Sequence, residues 1–94
     1  MTKSIAKLTV EARRLRILQT LHNATEYTAD LEVLCDYLLI GMMALLEEVE
    51  WLTDHGLVEL DRVDDVTSVR LTRLGKDVAM GRERITGVRR PEPQ

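Results

Sequence analysis

Phenylalanine is absent from this 94-residue chain, whose aromatic residues are one tryptophan and two tyrosines. Proteins that bind single-stranded nucleic acids stack successive bases on aromatic side chains. Trp51, Tyr27 and Tyr37 are too few for such a platform, so the sequence excludes that class of protein. It predicts a core built mainly of aliphatic side chains.

Cysteine occurs once, as Cys35. A single thiol excludes an internal disulfide and a multi-cysteine metal site, and it fits a reducing compartment. Because Cys35 lies on the apolar stripe of a predicted helix, we interpret it as a small apolar core residue. The sequence therefore predicts neither a bound metal ion nor a cofactor.

Long apolar runs are also missing. The longest, residues 38–46, has nine residues, whereas a membrane-spanning helix needs about 20. The first residues carry Lys3 and Lys7 but lack the apolar stretch of a signal peptide. We expect a cytoplasmic protein without membrane contact.

Charge is distributed unevenly along the chain, although the formal net charge is only -3. Residues 1–22 carry five basic groups and one acid, residues 23–69 carry twelve acids and one arginine, and residues 70–94 carry seven basic groups and three acids. Local clusters of charge determine which partners a surface attracts. The basic ends either attract an external polyanion or fold against the acidic middle.

Apolar residues at helical spacing predict three helices before Gly56. The first follows an N-cap at Thr9 and ends near Asn23, the second begins at Thr28, and the third follows a turn at 39–41. Gly56 occupies the position at which a left-handed residue ends a helix. The predicted buried stripe of the third helix consists of Met42, Leu45, Leu46, Val49 and Leu52. The second and third helices form a helix-turn-helix.

The pattern alternates after Gly56, as is typical of strands. Residues 57–60 and 67–71 predict a β-hairpin with its tip at 62–65, and Thr72 is the predicted N-cap of a last helix. The order helix, helix, helix, hairpin, helix predicts a mainly α protein with a small β-hairpin, a winged helix-turn-helix.

The predicted winged-helix domain covers residues 8–81, where Gly81 closes the last helix. Residues 1–7 are predicted to form a flexible N-terminus. Residues 82–94, which contain two prolines and a glycine, are predicted to form a basic, extended C-terminal tail.

Two passages resemble known families. Residues 51–58, followed by residues 69–75, resemble the passage "helix-Gly-Leu-Val, wing, Leu-Thr-x-x-Gly" of the ArsR and MarR regulators. Residues 71–82 with residues 87–91 resemble small winged-helix proteins encoded in Mu-like phages and prophages, which are described as ArsR-type regulators. This resemblance implies a DNA-binding transcription regulator in a bacterial host.

The exposed N-terminal part of the third helix is where a helix-turn-helix reads the major groove. This predicted recognition surface consists of Met42, Met43, Ala44, Glu47 and Glu48. None of these is an Arg, Lys, Asn, Gln, Ser or Thr of the kind that bonds base edges and phosphates. With Glu50 and Asp54, the helix brings four negative charges towards a polyanion, so a protein partner is the alternative to DNA.

Basic side chains outside the third helix are the candidates for contacting DNA phosphates. In chain order they are Arg62, Arg70, Arg73, Lys76, Arg82, Arg84, Arg89 and Arg90. Taken singly, each is also consistent with a solvated surface, and Arg62 with pairing to a neighbouring aspartate. As a set, the cluster in the tail is the strongest electrostatic candidate.

Motifs for catalysis are missing, since no nucleophile motif, acid–base pair or phosphate-binding loop is present, and we predict that the chain is not an enzyme. Two hypotheses remain. The first, favoured by the resemblance, is a phage winged-helix regulator that binds duplex DNA as a homodimer. The second is an interaction module of phage assembly or packaging, whose acidic third helix binds a basic protein without DNA. The fold alone does not choose between them.

Overall fold

The computed structural model describes residues 5–92, with the backbone alone for residues 5–8. In that part of the chain four helices and a three-stranded antiparallel sheet form a mixed α/β fold. In chain order the elements are α1 (Ile5–His22), β1 (Thr28–Asp30), α2 (Leu31–Leu38), α3 (Met42–Asp54), β2 (Val58–Val63), β3 (Val66–Leu71) and α4 (Arg73–Ala79). Among these residues, no helix combines the length and the apolar character needed to cross a bilayer.

The sheet has the strand order β1-β3-β2. Strands β2 and β3 form the predicted hairpin, paired from Val58 opposite Leu71 to Val63 opposite Val66. Both strands are longer than predicted, and the tip is reduced to two residues. One of them, Asp64, has a left-handed backbone with φ of 56°, a conformation that aspartate tolerates in tight turns.

Strand β1 replaces the predicted first turn of the second helix. Thr28 lies opposite Arg70 and Asp30 opposite Ser68 of β3, so the prediction that the second helix begins at Thr28 is wrong, and α2 begins at Leu31. The Oδ1 atom of Asp30 accepts a hydrogen bond of 2.8 Å from the hydroxyl of Ser68. Pairing with a strand 40 residues away overrides the local preference for a helix start.

Thr9 is not an N-cap, because α1 begins four residues earlier, at Ile5. The turns after α2 and α3 and the start of α4 agree with the sequence. Helix α2 ends at Leu38 and is capped by Leu39, which has a left-handed backbone, and Gly56 follows α3 with φ of 73°. The hydroxyl of Thr72 accepts a hydrogen bond of 3.0 Å from the N–H of Gly75, which confirms the N-cap of α4. These turns place the hairpin directly behind α3 and bring α4 back against α1.

The core between the helices and the sheet is aliphatic, as predicted. Its buried residues include Ile17, Leu18, Leu21, Leu34, Leu45, Val49, Leu52, Leu57, Val58, Val69 and Val78. The predicted stripe of α3 is correct for Leu45, Val49 and Leu52, whereas Met42 and Leu46 are exposed. Cys35 is half-buried against the core, with its sulfur 3.9 Å from that of Met42.

Residues 82–92 differ from the predicted extended tail. They contain no helix or strand, yet Ile85 and Val88 pack against the core. The N–H of Arg89 also donates a hydrogen bond of 3.2 Å to the carbonyl of Glu11. Of the predicted flexible N-terminus, residues 1–4 lie outside the described residues, and from Ile5 the chain is helical.

Candidate nucleic-acid interface

The outward face of α3 is acidic. Its buried face contains Leu45, Glu48, Val49 and Leu52. Residues half a turn away lie on the opposite face, and there Met43, Glu47, Glu50 and Asp54 are all exposed. Of the other predicted recognition residues, Met42 is exposed and Ala44 is half-buried.

Glu48 is the one predicted recognition residue that lies inside the fold. Its exposure is 4%, so its assignment to the outer surface of α3 is wrong. The Nε atom of Arg14 donates a hydrogen bond of 2.7 Å to Oε1 of Glu48, and a guanidinium nitrogen of Arg13 lies 3.9 Å from Oε2. Burial of a carboxylate is costly unless a partner compensates its charge, and α1 supplies that partner.

Arg14 also holds the C-terminal segment, 82–92, against α1 and α3. Its Nη1 atom donates a hydrogen bond of 2.9 Å to the carbonyl of Gly87. The guanidinium carbon lies 3.9 Å from the centroid of the Trp51 ring, an arrangement that attracts a cation to the ring face. We call Arg14, Glu48, Trp51 and Gly87 the arginine clamp.

The arginine clamp was not predicted from the sequence. Arg14 is separated by 34 residues from Glu48 and by 73 residues from Gly87. Gly87 has φ of 104°, and a Cβ atom there would lie 2.5 Å from Cζ2 of Trp51. The available signal in the sequence is a glycine within a segment rich in basic residues, a composition that also predicts an extended tail.

The hairpin contributes few free positive charges. Arg70 forms an exposed ion pair of 3.1 Å with Glu59 on the neighbouring strand. Arg62 is exposed opposite Thr67, one pair from the end of the ladder. Acidic residues of the same hairpin are Glu59, Asp61, Asp64 and Asp65, so the hairpin as a whole carries net negative charge.

Three of the predicted basic residues line one cleft. Arg73 and Lys76 of α4 and Arg82 after it lie beside His22 at the end of α1 and Tyr27 of the connecting 3-10 turn. We call this the α1–α4 cleft. Its lining contains one carboxylate, that of Asp77, so the cleft has an excess of positive charge.

The remaining basic candidates lie on the C-terminal segment. Arg84, Arg89 and Arg90 are exposed and line a second concavity that this segment forms with α1 and α4. Arg89 pairs with Glu92 at 3.0 Å, and both side chains are largely solvated, so this ion pair contributes little to stability.

In the described part of the chain, most exposed acidic residues and most basic residues thus lie on different elements. We call α2, α3 and the hairpin the acidic elements; their exposed acids are Glu32, Asp36, Glu47, Glu50, Asp54, Glu59, Asp61, Asp64 and Asp65. We call α1, α4 and the C-terminal segment the basic elements; their cations are Arg13, Arg14, Arg16, Arg73, Lys76, Arg82, Arg84, Arg89 and Arg90. The basic elements pack on one another and form a connected surface.

These features define a small α/β protein with separate acidic and basic surfaces. Over 95 aligned residues the chain is 33% identical to "uncharacterized protein gp26" of Escherichia phage Mu, covering 96% of this chain and 98% of that protein. The chain therefore belongs to the family of phage Mu gp26, and the expected relation to Mu-like phages is confirmed. No protein-family model matches the chain, and neither does any solved structure.

Proposed function

We propose that this chain is a winged-helix protein of a Mu-like phage that binds duplex DNA through its basic elements. The order α1, β1, α2, α3, hairpin supports the winged-helix assignment, because α2 and α3 are joined by a short turn and the hairpin follows α3 directly. The observation that carries the proposal of DNA binding is the connected surface of α1, α4 and the C-terminal segment. Of its nine cations named above, six form no ion pair with a carboxylate of another described residue.

The proposed mode of binding relies on phosphates rather than on bases. Phosphate contacts supply most of the affinity of non-specific DNA binding, whereas sequence is read by side chains at base edges. The outward face of α3 offers Met43, Glu47, Glu50 and Asp54, and carboxylates there would repel the DNA backbone. We therefore expect weak preference among DNA sequences, which departs from the operator-specific binding that the ArsR-type resemblance implies.

This proposal predicts a steep dependence of DNA affinity on salt. Fluorescence anisotropy with a labelled duplex of about 20 base pairs should show affinity falling at least about tenfold from about 50 to about 200 mM salt. An unrelated duplex of equal length should bind with similar affinity. The double substitution Arg84→Gln and Arg90→Gln should lower the slope of log affinity against log salt by up to about 2.

The matched control is the double substitution Glu47→Gln and Glu50→Gln on exposed positions of α3. It removes two negative charges without touching the basic elements, so affinity should stay equal or rise. No binding of any duplex at about 50 mM salt would refute the proposal.

A second candidate function is supported by the outward face of α3. Met43 is 81% exposed and lies beside Glu47 on that face. An exposed methionine flanked by carboxylates suits a protein partner with basic and apolar side chains. In this alternative the acidic elements bind another protein of the phage, in assembly or packaging.

Charge reversal tests this second candidate. The double substitution Glu47→Lys and Glu50→Lys should abolish capture of a virion or packaging protein from phage-infected cells by the immobilised chain. Arg84→Gln with Arg90→Gln should leave the capture unchanged, because it alters the other surface. Capture that survives the reversal at α3 would exclude this interface.

A further inference from the structure

The α1–α4 cleft is a separate feature within the basic elements. Its walls come from the end of α1, from Tyr27 of the 3-10 turn Thr25–Tyr27, and from α4 with Met80 and Arg82 after it. Arg73 and Arg82 are exposed, and neither guanidinium makes an ion pair or hydrogen bond with another described residue. Both groups are therefore available to an external anion.

Lys76 is held in place by an aromatic ring. Its Nζ atom lies 3.9 Å from the centroid of the Tyr27 ring, and the ring of His22 lies 5.9 Å from that of Tyr27, centroid to centroid. A flexible lysine loses less freedom on binding when its ammonium is already positioned. The cleft thus presents its third cation in a defined place.

The turn that positions Tyr27 is strained. Glu26 and Tyr27 both have left-handed backbones, with φ of 55° and 57°, a conformation that costs about 1–3 kcal/mol for a residue other than glycine. The hydroxyl of Thr28 stabilises the turn by donating a hydrogen bond of 2.9 Å to the carbonyl of Glu26. Strain of this kind is retained where the placement of a side chain matters.

We propose that the α1–α4 cleft binds a phosphate group of the DNA backbone between Arg73, Lys76 and Arg82. The proposal rests on the proposed DNA-binding function and assigns it a specific contact away from α3 and the hairpin. The two guanidinium groups offer planar pairs of donors that match phosphate oxygens, and the ammonium adds a point charge. Asp77, the one acid of the lining, leaves the three cations in excess.

The first test compares wild type and three variants of the full chain in the anisotropy assay: Arg73→Gln with Arg82→Gln, Arg84→Gln with Arg90→Gln, and Tyr27→Leu. Arg73→Gln with Arg82→Gln should weaken duplex binding about tenfold at about 0.1 M salt, because one phosphate contact contributes a salt slope of about 0.9. Tyr27→Leu keeps the net charge but releases Lys76, and it should also weaken binding. The proposed phosphate contact in the cleft would be overturned by two results together: unchanged DNA affinity in Tyr27→Leu, and equal losses of affinity in the two double arginine variants. Those results would indicate diffuse electrostatic attraction.

The second test uses inorganic phosphate as the probe in a titration followed by NMR. Shift changes in wild-type protein should concentrate at His22, Tyr27 and residues 73–82, and they should disappear in Arg73→Gln with Arg82→Gln. If this double variant binds DNA with wild-type affinity, the proposed phosphate contact in the cleft is refuted, whereas the proposed DNA-binding function is not. Phosphate shifts at the cleft in a protein that binds no duplex would support the anion site and refute the proposed function.

Discussion

Replacing Glu48 by glutamine should lower the free energy of unfolding by about 2–4 kcal/mol. The side chains of Arg14 and Glu48 are only 15% and 5% exposed, so the guanidinium would lose its counter-charge where water cannot replace it. Glutamine keeps the size of the side chain and an acceptor oxygen, which isolates the effect of charge. For a chain of this length the melting temperature should fall by about 10–20 °C.

Glu47 provides the matched control, because it is the preceding residue of the same helix and is exposed. Glu47→Gln should change stability by less than about 0.5 kcal/mol. Combining Glu48→Gln with Arg14→Met should cost less than the sum of the single changes, since the two side chains form one interaction. Equal melting temperatures for the variants at positions 47 and 48 would contradict the arginine clamp.

The arginine clamp links stability to the proposed interface. Arg14 binds Glu48 on α3 and the carbonyl of Gly87 in the C-terminal segment. Loss of the clamp would loosen the segment that carries Arg84, Arg89 and Arg90 relative to α1 and α4. Glu48, which the sequence assigns to the recognition surface, is thus expected to act mainly by holding the C-terminal segment against α1 through Arg14.

Local patterns were sufficient for most of the elements. The apolar spacing of α1 and α3, the alternation after Gly56 and the N-cap at Thr72 each depend on residues within one or two turns of one another. For that reason the helices, the hairpin and the turn before α3 agree with the prediction, while element ends shift by a few residues.

Contacts between distant residues explain the rest. Strand β1 forms because β3 pairs with it, and three residues of unremarkable composition gave no signal of their own. The sequence predicts an exposed Glu48 because a glutamate is normally exposed, whereas its burial depends on Arg13 and Arg14, which are 35 and 34 residues earlier. The sequence predicts an extended C-terminal segment because its own residues form no helix or strand pattern. Its packing depends on contacts with Trp51 and α1, which are distant in the sequence.

The sequence was sufficient to identify the basic residues of the candidate site, but not to predict how they are arranged in space. Arg73, Lys76 and Arg82 were identified from their charge, yet their convergence on Tyr27 depends on how α4 packs against the end of α1. In the sequence, Tyr27 is one of three aromatic residues that are too few for a stacking platform, so it does not stand out as a site residue. A single ring is nevertheless sufficient to orient one lysine.

Gly75→Ala should produce the second large effect, a loss of about 3 kcal/mol or more in the free energy of unfolding. Gly75 is buried in α4, and a Cβ atom there would overlap the backbone oxygen of Leu57 and lie 2.7 Å from Cδ1 of Leu71. The oxygen of Leu57 accepts a hydrogen bond of 3.0 Å from the N–H of Thr72. Moving that oxygen away would disturb the junction of the hairpin and α4.

Helix propensity alone predicts the opposite sign, because alanine is favoured over glycine inside a helix by about 1 kcal/mol. The same substitution at Gly41, where no atom lies within 4 Å of the added Cβ, should change stability by less than about 1 kcal/mol. Denaturant unfolding of both variants at matched pH measures the difference. A Gly75→Ala variant as stable as wild type would show that α4 does not approach Leu57 as closely as this packing requires, and the walls of the α1–α4 cleft would then have to be placed differently.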